Sequence, residues 1–215
     1  MSGWAVSRNL NYDTERVADI TILASGLVCG IAASGVLIAA ALASGEIRLL
    51  VGVGVYAIGL VGMLGCSLLY RSATEPRRRQ FFRRFDHAAI FAMIAGSATP
   101  FALAAGGSRG AIVAGALWTF AAVGIVVKLS FPIGGIRRSA IIYLLLGWLS
   151  LFAVGSAVSG STMALIAIGG GLYSAGVPFL LWWWRLPYRL AIWHSFVLAG
   201  AACHYVAILT GVVLA

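Results

Sequence analysis

Apolar positions in this chain come in long unbroken runs. They show neither the alternation of a half-buried strand nor the three-and-four spacing of a surface helix. Seven runs stand out, at residues 17–42, 49–70, 86–105, 111–129, 140–158, 162–184 and 190–214, each 19 to 26 residues long. A helix needs about 20 apolar residues to cross the hydrocarbon core of a bilayer, so each run predicts one transmembrane helix. The fold class predicted is all-α: a polar segment at 1–16, then a single seven-helix transmembrane domain at 17–215. The first run is as long as a span and lacks a small-residue cleavage site, so no cleavable signal is predicted. Connections are short except for RSATEPRRRQFFRRF at 71–85, which reads as a basic loop.

Composition agrees with the pattern. The 215 residues are 61% apolar and 10% charged, whereas a soluble domain carries about 45–50% and about 25%. That excludes a soluble domain, a disordered regulator and a disulfide scaffold. The net charge of +9 would point to nucleic acid in a polar chain. Here the cations sit between apolar runs, so the predicted partners are membrane lipids and not nucleic acid. Arg77, Arg78, Arg79, Arg83 and Arg84 are the expected headgroup contacts, with Phe81 and Phe82 beside them. Cys29, Cys66 and Cys203 lie inside different runs without zinc spacing and are expected to be reduced.

Counting Lys and Arg by side orients the bundle. The 1–16 segment and the second, fourth and sixth connections hold thirteen, against Arg48 and Arg109 alone on the other side. The bias predicts a cytoplasmic N-terminus and an external C-terminus. Clustered small residues, as in GGGLYSAG at 169–176, predict close helix contact. The tryptophans at 182–184 predict an interfacial belt.

Ionisable residues inside spans are costly and mark the first places to look for function. Asp19, Arg71, Asp86 and His194 stand on four different runs but at one depth, about 3–8 Å inside the cytoplasmic interface at 1.5 Å per residue. They form the predicted polar cluster, with Arg71 pairing Asp86 and Asp19. The bland alternative is that each aspartate caps its helix. His87 points about 100° away from Asp86, and His204 lies about 15 Å deeper than His194, where a neutral interhelical hydrogen bond is expected. Retinal attachment is excluded, because the only lysine, Lys128, is on the fourth run. An intramembrane serine protease is excluded too, since Ser159-Gly160 lacks the first glycine of that motif.

Three stretches carry a family resemblance. They are ERVADITILASGL (15–27), SLLYRSATEPRRRQFFRRFDHAAIFAMIAGSATPF (67–101) and AIWHSFVLAGAACHYVAIL (191–209), about a third of the chain. Asp86-His87-Ala88-Ala89-Ile90 and Trp193-His194 are the most specific parts. Together they resemble the hemolysin III family, within the progestin and adipoQ receptor superfamily. The resemblance implies a bacterial inner-membrane protein and a zinc-dependent, ceramidase-like amide hydrolase. Ser67, Asp86 and His194 match the family's serine, aspartate and second helix-seven histidine and are the candidate catalytic residues. Arg71, Leu190 and Leu23 stand where the family has histidines. An arginine cation and a leucine cannot ligate zinc, so the residues predict no metal site. Three functions stay open: a lipid-binding or sensing protein with a cytoplasm-facing polar cavity; a metal-dependent lipid amidase using Asp19, Asp86, His194 and His204; and a pore or transporter.

Overall fold

The computed structural model describes residues 3–131, 135–155, 158–183 and 185–215, with side chains from residue 13 onward. The side chain of Arg8, used in the charge count, and Trp184 of the aromatic belt lie outside the described residues. The described chain is helical: α1 (Gly3–Ser44), α2 (Ile47–Ser72), α3 (Pro76–Ala105), α4 (Gly107–Ser130), α5 (Ile136–Val154), α6 (Gly160–Leu181) and α7 (Arg189–Ile208). A π-helical turn, Leu209–Val213, extends α7. All seven helices are long and apolar enough to cross a membrane, and the chain is a multi-pass integral membrane protein.

The basic segment departs from expectation. Residues 71–85 were predicted as a loop, yet the break between α2 and α3 spans only 73–75. Pro76 opens α3 at a position where its missing N–H is no loss, and the arginines ride on two helical turns before the apolar part begins. Polarity hid a helix that merely leaves the hydrocarbon. The same finding removes the capping alternative, because Asp19 and Asp86 lie well inside α1 and α3 rather than in their first turns.

Helix α3 is the axis of the bundle. It packs on α2, α4 and α5 and touches α7, while α1 lies against α2 and α7. Small residues make the closest approaches, as sequence predicts. A Cβ on Gly52 of α2 would stand 3.0 Å from the Pro100 Cα of α3, and one on Gly169 of α6 would stand 3.0 Å from the Gly200 carbonyl of α7. Between α1 and α2 the chain turns at Gly45 with φ +70°, which glycine adopts without strain. Tyr56, Phe101, Leu37 and Leu64 fill the interior. Val28, Ile58, Ile112 and Phe152 are each more than two-thirds exposed, an outer surface suited to lipid.

Candidate functional site

The end of the bundle that carries the arginines also holds the polar cluster. Asp19 of α1 is 1% exposed and serves two partners. Arg71 of α2 donates from Nε to Oδ2 at 2.5 Å, and His194 Nδ1 of α7 lies 2.5 Å from Oδ1. Ser67, one turn before Arg71, donates its hydroxyl to Asp86 Oδ1 of α3. Arg16 donates to the Arg71 and Ser72 carbonyls at 3.3 and 2.8 Å, satisfying the open end of α2 and fixing α1 against it. Of the four residues predicted to share a depth, Asp19, Arg71 and His194 are in direct contact, and Asp86 lines the same cavity as Arg71 and His194. The pairing differs from the one predicted in one half: Arg71 bonds Asp19 as expected, while Asp86 takes the serine instead. Depth along a helix follows from residue count, but rotation about its axis decides which carboxylate meets which cation.

Beside the cluster lies a cavity of about 610 Å³. Its α3 wall is one stripe, Arg79, Arg83, Asp86, His87, Ile90, Met93, Ile94 and Ser97, at helical spacings of three and four. From Arg79 to Ser97 the stripe runs about 27 Å at 1.5 Å per residue, close to the thickness of a hydrocarbon core. Ser67, Arg71 and His194 line the polar end, and Leu144, Leu151, Ile166, Val177 and Val197 line the rest. Deepest on α7 is His204, whose ring meets Tyr173 edge-on at 5.6 Å and packs against Gly169, while its buried Nε2 finds no partner among the described residues, so the interhelical hydrogen bond expected of it is not made there. The cavity is therefore charged at one end and mainly apolar along its length, with Ser97, Ser150, Tyr173 and His204 as scattered polar groups.

The arginines of the basic segment divide by direction. Arg77 and Arg78 are exposed. Arg79 and Arg83 turn into the cavity, Arg79 lying over the Tyr70 ring. Arg84 donates to the Leu129 carbonyl at 3.1 Å and ties α3 to α4. Sequence reasoning passed over Tyr143, whose hydroxyl donates to the His87 carbonyl at 2.9 Å, and Ser139, which accepts from Lys128 Nζ at 2.6 Å. The four-residue spacing of Arg83 and His87 was the legible signal there.

Zinc does not fit these residues. Arg71, Leu190 and Leu23 all line the cavity where the resemblance would place imidazoles, and the Nδ1 of His194 is engaged by Asp19. Among the described residues no three His, Cys, Asp or Glu side chains group as metal ligands. The rearranged set of Asp19, Asp86, His194 and His204 therefore does not assemble.

Comparison with known proteins agrees with the three sequence stretches. The family model described as Haemolysin-III related matches residues 13–205. The chain is similar to Hemolysin-3 of Bacillus cereus, 33% identical over 208 residues that cover 95% of this chain and 94% of that protein. It is also similar to the Hemolysin-3 homolog of Bacillus subtilis (strain 168), 33% identical over 199 residues, covering 91% and 93%. With the match spanning nearly all of the seven-helix region, the chain belongs to the Haemolysin-III related family.

Proposed function

We propose that this protein binds a membrane amphiphile in its interhelical cavity and that an ion network takes the place of a catalytic metal. The observation that carries the proposal is the Arg71–Asp19–His194 constellation, in which a guanidinium supplies positive charge beside the buried carboxylate. An arginine stays protonated under physiological conditions and cannot activate a bound water as zinc does. The cavity supports the same reading: its apolar length suits a hydrocarbon chain and its polar end a headgroup. At about 610 Å³ it falls within the usual range of small-ligand pockets, about 300–1,000 Å³. The protein then acts as a lipid-binding or sensing member of its family, without amide hydrolysis. The lysine and arginine bias supports a polar end on the cytoplasmic side of a bacterial inner membrane.

The test is a paired measurement on full-length protein purified without chelators. Mass spectrometry should find a co-purifying amphiphile that disappears when the cavity is filled by Val197→Trp. Elemental analysis should find no stoichiometric zinc. Zinc at one per chain, lost on His194→Ala, would falsify the proposal and restore the hydrolase reading.

A further inference from the structure

The α3 wall of the cavity carries more cations than carboxylates, with Arg79 and Arg83 against Asp86. Arg83 Nε and His87 Nδ1 are buried and find no hydrogen-bond partner among the described residues. His87 is 7% exposed, and both residues line the cavity. They stand one turn apart on α3, so they share a face. Helix α5 runs alongside, joined at the His87 level by the Tyr143 hydroxyl. One turn before Tyr143 is Ser139, 2% exposed, which holds the Lys128 ammonium of α4 at 2.6 Å. Helices α3 and α5 both run inward from the arginine-bearing end, so Lys128 and Arg83 come to the same level from different helices. The ion pairs formed among the described residues engage Asp19 and Glu75, neither of which meets Arg83 or Lys128. Asp86, next to His87, is held by Ser67.

Buried N–H groups without acceptors are unfavourable unless a ligand completes them. The Arg83 guanidinium and an unpartnered imidazole line the cavity, the Lys128 ammonium stands behind them on Ser139 outside the lining, and the group lacks one component, an anionic acceptor. We propose that Arg83 and His87, backed by the Lys128 charge, form the headgroup site for a phosphate or carboxylate carried on the chain that fills the cavity. This deepens the amphiphile-binding reading and rests on it. Arg83 and His87 would donate to the anion's oxygens, and Lys128 would add charge from behind Ser139. Arg77 and Arg78, by contrast, are exposed on the outer turn.

The proposal is tested by equilibrium binding to the whole protein in phosphatidylcholine nanodiscs, with empty discs subtracted. Four probes are compared: monopalmitoyl lysophosphatidic acid, palmitate, monopalmitoylglycerol and inorganic phosphate. At least one anionic amphiphile should bind about tenfold or more tighter than the neutral glyceride, as expected for charge-assisted hydrogen bonds. Whichever anion wins identifies the headgroup. Arg83→Gln and Lys128→Gln should each collapse that preference ratio toward one. The ratio is insensitive to loss of folded material, and the preference of the unaltered protein decides if a variant does not fold. Equal affinity for charged and neutral amphiphiles, the result if water completes these donors, overturns the headgroup site and leaves the cavity reading standing. Inorganic phosphate binding as tightly as the lysophospholipid overturns it in favour of a free-anion site. Failure of all three amphiphiles to bind overturns both readings.

Discussion

Asp19 binds a guanidinium through one oxygen and an imidazole through the other, so its carboxylate is the keystone of the polar cluster. Removing one member of a buried pair strands the other charge, at a typical cost of about 3–5 kcal/mol. Arg71→Leu should therefore lower stability by that order in denaturant unfolding. Adding Asp19→Asn should recover part of the loss, and adding Asp86→Asn should recover none; the reverse ranking would show that Asp86 is the true partner. The lost imidazoles lead to a second expectation. Positions 71, 190 and 194 all line one cavity, and 190 and 194 share a helix face. Arg71→His combined with Leu190→His should bind about one zinc per chain by elemental analysis, the three-imidazole arrangement of many catalytic sites. A double variant that stays metal-free would show that Asp19 keeps His194 from ligating. Residue identity and depth made this cluster legible in sequence. Which of the two aspartates Arg71 would keep was not legible, because a few tens of degrees of helix rotation decide it.

At the scale of elements, hydropathy located all seven helices but misjudged where α3 begins. An apolar run marks the part of a helix in hydrocarbon, and its polar continuation leaves no mark in that signal. A polar cavity was expected from the converging ionisable residues, but its reach along α3 to Ser97 was hidden, since no run reports space left between helices. Close crossings were readable from small residues, and α6 against α7 offers the clearest test. A Cβ on Gly169 would lie 2.4 Å from the His204 ring and 3.0 Å from a backbone carbonyl, whereas one on Gly171 meets nothing within 4 Å. Gly169→Ala should lower stability by about 1–3 kcal/mol, the usual cost of overpacking. Gly171→Ala should hold or slightly raise it, because alanine favours the helix. Thermal unfolding of the two variants in the same detergent compares them directly, and equal midpoints would mean that α6 and α7 cross elsewhere.

For the whole molecule, orientation is the open quantity, and the thirteen-to-two bias sets the expectation. In a variant without Cys29, Cys66 and Cys203, a cysteine at exposed Ser72 should resist impermeant reagents applied outside intact cells. A cysteine at Ala215 should react. Labelling at position 72 would invert the bundle. The unbroken course of α3 has one more consequence. In a loop, an extra residue is absorbed locally and the surroundings keep their aim. In a helix it advances everything on one side by about 100° and 1.5 Å. Arg79 and Arg83 are thus locked in angular phase with Asp86 and His87, and an alanine inserted between Arg84 and Phe85 would swing one pair away from the cavity the other still faces. The spacing of this stretch is therefore as binding on the protein as its composition: its length can change by whole turns, but not by single residues.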